Sequence, residues 1–186
     1  MVTIMSLWLP ILLSTVAVFL ASWAMHVVLK YHNKDIRQLP NEDQVMNAVR
    51  GSNLAPGVYA YPYCASPKEM QSPAMVEKYK RGPVGLLVAL RNVPPEMTSN
   101  LVQWFVFCVV ASAFVAYLAG RTLQPGAEYL AVFRIAGTVA FLGYAGSEAL
   151  NSIWRGQPWG TTWRNYVDGL VYALLTAGVF GWLWPR

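Results

Sequence analysis

The chain has 186 residues, of which 55% are apolar and only 12% charged, about half the charged share of an average soluble domain, roughly a quarter. Its net charge of +5 comes from basic residues scattered among acids beside apolar blocks, which argues for membrane topology and headgroup contacts and against nucleic acid. Cys64 and Cys108 lie in unlike surroundings with no CxxC or Cys/His spacing, which argues against a disulfide and against a zinc site.

The first apolar stretch runs from Ile4 to Leu29. It lacks a basic leader, exceeds the roughly 7–15 residues of a signal-peptide core and reaches Lys30 without a small-residue cleavage site, so it reads as a retained transmembrane helix. Lys30, His32, Lys34, Asp35 and Arg37 extend it as a charged continuation of the helix that Pro40 stops.

Residues 30–98 form the polar insert. Asn41 followed by Gln44 has capping-box spacing and Gly51 offers a C-terminal stop, which predicts a short helix with Val45, Met46 and Val49 as its buried stripe. Val58 to Tyr61 is rich in β-formers, and Val84 to Leu90 is apolar without helical punctuation, so the two are expected to pair. Between them, Ser66-Pro67 with Glu69 and Ser72-Pro73 read as helix starts, the second helix running to Gly82.

Three more apolar stretches follow, Leu101 to Ala119, Leu130 to Leu150 and Val167 to Trp184, each close to the roughly 20 residues of a spanning helix. The expected fold is an all-α membrane protein, a four-helix transmembrane bundle with a small α+β polar insert between helices 1 and 2, divided as 1–29, 30–98 and 99–186. Small residues recur at packing intervals as Ser112, Ala116 and Gly120, as Ala136 and Ala140, and as Ala173, Ala177 and Gly181. Trp8, Trp182 and Trp184 fall at one membrane face, and Trp154, Trp159, Trp163 and Tyr166 at the other, as two interfacial belts. Basic residues concentrate on the face that holds the insert, which places the insert in the cytoplasm and both termini outside.

Ionisable residues at the membrane mark the candidate site. Glu148 is expected on the insert side with His26, Gln103, Asn151, Arg155, Arg164 and Asp168, a polar cluster able to bind a headgroup, a proton or a cation. For Glu148 a salt bridge to Arg155 or Arg164 is preferred, and Asp168 reads as an acid in the first turn of a helix capped near Asn165. A metal triad of His26, Glu148 and Asp168 has no supporting ligand spacing, and His26 and His32, six positions apart on one helix, point about 120° away from each other. No cofactor, metal or catalytic set is therefore expected.

Leu7-Trp8-Leu9-Pro10-Ile11-Leu12-Leu13, Pro56-Gly57-Val58-Tyr59, Gly82-Pro83-Val84-Gly85, Asn151 to Trp159 and Asp168 to Pro185 resemble small bacterial inner-membrane proteins with four transmembrane helices, a group without an assigned activity. The resemblance implies an inner-membrane location and nothing more. The function expected from the residues is that of an accessory or structural membrane protein, a homo-oligomer or a subunit bound to other membrane proteins and the lipid bilayer. A small-molecule or ion transporter is the second reading, and an enzyme acting on a lipid or quinone the third.

Overall fold

The computed structural model describes all 186 residues. They form two compact units, Met1–Ile36 with Glu96–Arg186, and Arg37–Pro95.

The larger unit is helical. Helix α1 (Trp8–Trp23) is led in by one 3-10 turn and runs out through a π turn, Ala24–Val28. Helices α5 (Met97–Thr122), α6 (Tyr129–Ala145), α7 (Glu148–Arg155) and α8 (Trp159–Trp182) belong to the same unit; α2 (Glu42–Gly51), α3 (Pro67–Met70) and α4 (Pro73–Arg81) lie in the smaller one. Three stretches, Ile4–Val28, Met97–Thr122 and Tyr129–Arg155, are long and apolar enough to cross a membrane. Helix α8 has 24 residues, about 36 Å at 1.5 Å per residue, but Thr161, Thr162, Arg164, Asn165 and Asp168 make its early turns polar.

Helix α1 packs on α5, α5 on α6, α6 on α8 and α8 back on α1, closing a ring of four. Small side chains let the helices approach. Ser112, Ala116, Ala136, Ala140, Ala173 and Ala177 are buried, and the Ser14 hydroxyl donates to that of Ser112 across α1 and α5 at 3.0 Å. A Cβ on Gly169 would come within 2.6 Å of the Ala145 methyl, and one on Gly181 within 2.7 Å of the Tyr129 ring. Both glycines therefore sit where α6 and α8 nearly touch. Gly120 accepts a bond from the Val2 amide at 3.0 Å through its carbonyl. The outward surface is made of large apolar side chains, Leu20, Val106, Val110, Phe114, Leu142 and Leu174 among them. Small residues inside and large ones outside are the arrangement expected where packing, rather than hydrophobic burial, holds helices together.

Three expectations for this unit fail. The first helix does not continue through the charged segment: it ends at Val28, and Lys30 takes a left-handed backbone (φ 54°), so the chain turns back and residues 31–34 form a separate 3-10 turn. The last helix starts at Trp159, directly behind Pro158, rather than at Val167, because proline fits the start of a helix and needs no donor there. Asp168 thus lies well inside α8 and caps nothing. Finally, the third apolar stretch breaks at Gly146 and Ser147, so Glu148 opens a separate helix that Gly156, at φ 71°, ends.

The smaller unit holds α2 (Glu42–Gly51), β1 (Gly57–Tyr61), α3 (Pro67–Met70), α4 (Pro73–Arg81) and β2 (Gly85–Ala89). The strands pair antiparallel, with Tyr59 opposite Leu87. Ser66 and Ser72 cap α3 and α4, their hydroxyls accepting from the Glu69 and Met75 amides at 3.2 and 3.3 Å. Gly82, at φ 59°, ends α4. Helix α2 departs from expectation in two ways. Asn41 is itself left-handed and its side chain caps nothing, and Val45 and Met46 are exposed where a buried stripe was expected.

Candidate functional site

The reversal at Lys30 brings the two histidines together. Their rings stack with centroids 4.5 Å apart and planes 1° from parallel, where a continuous helix would have turned them apart. Both face Asp168, which α8 carries inward at this end of the ring. Asp168 Oδ2 is 3.0 Å from His32 Nε2 and 3.6 Å from His26 Nε2. Exposure differs along the set: the His26 side chain is 47% exposed, His32 13% and Asp168 8%.

The far nitrogen of each ring is committed elsewhere. His26 Nδ1 lies 3.0 Å from the Ser22 carbonyl oxygen, which can only accept, so Nδ1 carries a proton. The π turn places it there, since His26 sits in the wide turn closed by the Leu29 amide on the Ala24 carbonyl. His32 Nδ1 lies 2.6 Å from Asp35 Oδ2, a carboxylate that is held in turn by the Thr161 hydroxyl at 2.9 Å and by Arg164 through Nε at 2.9 Å and through Nη2. Burial pushes the Asp35 carboxyl up, but the hydrogen bonds from Arg164, His32 and Thr161 outweigh it and hold the group down at about 2. Asp35 is thus a fixed anion behind His32, tied to α8 from a turn over 120 residues earlier.

In front of Asp168 is a cavity of about 280 Å³ lined by Ser22, His26, Trp104, Tyr144, Glu148, Asn165, Gly169 and Tyr172, just below the roughly 300–1,000 Å³ of drug-sized pockets. Trp104, Tyr144 and Tyr172 form its aromatic wall, with ring centroids 5.5–6.2 Å apart. Asp168 Oδ1 and Trp104 Nε1 are buried there without a hydrogen-bond partner. The Tyr144 hydroxyl has Ser112, Thr176 and Cys108 near it, and that of Tyr172 has Ser22, yet none is in hydrogen-bond geometry. A buried polar group left unpaired costs about 1–3 kcal/mol, so the cavity favours an occupant that answers these groups. Its two lining carboxylates, Asp168 and Glu148, with no Lys or Arg among the lining residues, favour a cation or a neutral polar molecule over an anion.

Of the residues expected at the site, His26, Glu148 and Asp168 line this cavity, and Arg164 stands behind it through Asp35. Glu148 makes neither expected salt bridge; it accepts from Asn165 Nδ2 at 2.6 Å, because Arg164 is taken by Asp35 and Arg155 donates to Asn151 at 3.4 Å. Asn151 and Arg155 do not line the cavity, and Gln103 is exposed and donates to Ser99 at 3.1 Å. His32, Asp35 and the aromatic wall were missed. The left-handed Lys30 that carries His32 inward has no local signature, whereas the Trp and Tyr positions could have been found as polar-tipped aromatics inside apolar helices.

Comparison with protein-family models, curated proteins and solved structures finds no match.

Proposed function

We propose that this is a multi-pass membrane protein that binds a small cationic ligand in the cavity between α1, α5, α6 and α8, near one membrane face. The observation that carries the proposal is the unpartnered, buried Oδ1 of Asp168, a lining residue of a cavity that holds a second carboxylate, Glu148, and no Lys or Arg. A charged group at membrane depth is costly, and function is the usual reason for keeping one. Helix α8 counts as the fourth crossing in this reading, because its length suits a bilayer and its polar residues Asn165 and Asp168 line the cavity. The excess of basic residues on the insert side supports a cytoplasmic insert, and the resemblance noted above supports a bacterial inner membrane. Binding of this kind serves a carrier, a sensor or a subunit of a transporter.

A second reading, the accessory subunit, is favoured by the insert. Val58 and Val88, opposed across the hairpin, are 68% and 60% exposed, and α2 leaves Val45 and Met46 uncovered. The small residues of the long helices are occupied within the chain, so association with other subunits is assigned to the insert.

Native mass spectrometry of the chain extracted in mild detergent tests both. A small-ligand mass present in wild type and lost in Asp168→Asn supports the cavity reading; spectra with lipid adducts alone, identical in the two, count against it. A copurifying subunit released by Val58→Asp with Val88→Asp supports the accessory reading, and a bare monomer opposes it.

A further inference from the structure

We propose that His26, His32 and Asp168 hold a divalent first-row transition-metal ion of the zinc class, through Nε2 of each histidine and a carboxylate oxygen of Asp168, with its remaining coordination positions open to the cavity. The inference deepens the cation-binding reading of the same cavity by naming the cation.

His26 Nδ1 must donate to the Ser22 carbonyl, and His32 Nδ1 meets the carboxylate of Asp35, so in each neutral ring the lone pair is on Nε2. Both lone pairs then confront Asp168, His32 Nε2 at 3.0 Å. Acceptors brought together this closely need a cation among them. Two histidines and one carboxylate are a familiar donor set for zinc and for non-haem iron. A carboxylate bonded to the far nitrogen of a ligating histidine is also the usual support behind such a metal; Asp35 has that place and is itself fixed by Arg164 and Thr161.

The distances agree. Around a tetrahedral ion with bonds of about 2.0–2.1 Å, neighbouring donor atoms lie about 3.3 Å apart, against 3.0 and 3.6 Å for the two histidines from Asp168. The donor atoms of all three residues lie within 4.8 Å of one another. Parallel rings direct their lone pairs along parallel lines, so binding must tilt one of them. His26 is the ring free to move, being 47% exposed. Three protein donors leave a position for water or a ligand, the pattern of metal sites that do chemistry or exchange rather than of purely structural ones. That position faces the Tyr144, Tyr172 and Trp104 wall, and Asp168 Oδ1 is the buried oxygen still without a partner.

Full-length protein, stripped with a chelator in detergent, is titrated with Zn²⁺ by calorimetry and with Co²⁺ by visible absorption. The expected result is one equivalent per chain with a d–d spectrum of four- or five-coordinate cobalt. His26→Gln, His32→Gln and Asp168→Asn each weaken binding at least 100-fold, Gln103→Ala leaves it unchanged, and Asp35→Asn weakens it about 10- to 100-fold without altering stoichiometry. His26→Gln is the decisive variant, because so exposed a side chain is replaced without loss of the fold; its thermal transition serves as the control. Absence of stoichiometric binding, or binding indifferent to His26→Gln in a folded protein, overturns the assignment. In the first case both histidines are held by protons alone, and an organic cation removed by Asp168→Asn still sustains the cavity reading. Metal bound by the three residues with no further ligand sustains the metal and limits the cavity to it.

Discussion

His26 and His32 lie on opposite sides of a chain reversal, yet their rings are parallel to within 1° at 4.5 Å. Lys30 makes this possible by adopting φ 54°, a conformation that costs an L-residue roughly 1–2 kcal/mol. Lys30→Gly should therefore raise stability by about 1 kcal/mol and leave Co²⁺ binding intact. Lys30→Ile should lower both, since a branched Cβ is a poor fit to that backbone. Thermal melting and cobalt titration of the two variants check the pair, and equal melting temperatures would show the turn to be unstrained.

Arg164 is the permanently charged base on Asp35. Removing one partner of a largely buried ion pair strands the other, at about 3–5 kcal/mol when burial is complete. With Arg164 about a third exposed, Arg164→Ala should cost on the order of 2–3 kcal/mol, and Arg164→Lys should recover only part, because an ammonium cannot reproduce the two-nitrogen approach. Denaturant unfolding in detergent measures both.

The contact of Gly169 with Ala145 predicts a size-compensated pair. Gly169→Ala alone should destabilise by about 1–3 kcal/mol through overpacking. Adding Ala145→Gly should return part of this, because the methyl then has a place to go. Strict additivity in the double-mutant cycle would mean that α6 and α8 simply move apart.

Ser14 and Ser112 make a buried hydroxyl pair between α1 and α5. Such bonds in membrane helices contribute about 0.6 kcal/mol on average. Ser112→Ala should lose about that much, and the double Ser14→Ala, Ser112→Ala variant little more than either single one. Detergent melting curves of the four proteins give the coupling.

Signals that act over one turn of chain were legible. Ser66 and Ser72, each followed by proline, stand where α3 and α4 begin, and the β-rich run at Val58 pairs with the segment after Gly82. The long helices were visible as apolar length, but their ends were not. Asn165 looked like a cap because polar residues before an apolar run usually are one; the helix had already started at Trp159, and Asn165 turned towards the cavity. Asn41 had the right neighbour for a capping box and the wrong backbone for it. The candidate site was legible only where its residues lie on long helices. His26, Glu148 and Asp168 were expected on one side and line one cavity, whereas His32 and Asp35 depend on one left-handed residue that no local pattern announces. Which acid faces which base was decided by that reversal, and the Glu148 pairing was misread because Arg164 had an unseen partner.

His32 and Asp168 are 136 positions apart, and the Asp35 contacts with Thr161 and Arg164 join 126 and 129. One half of the site is therefore synthesised more than 120 residues before the other. Contacts this distant in sequence form only after the long intervening segment is in place. During synthesis His26, His32 and Asp35 stay without their α8 partners until that helix arrives. A chain truncated before Trp159 lacks Asp168, Thr161 and Arg164, and with them every α8 partner of His26, His32 and Asp35. An ion held as proposed would therefore report that α8 has docked beside α1.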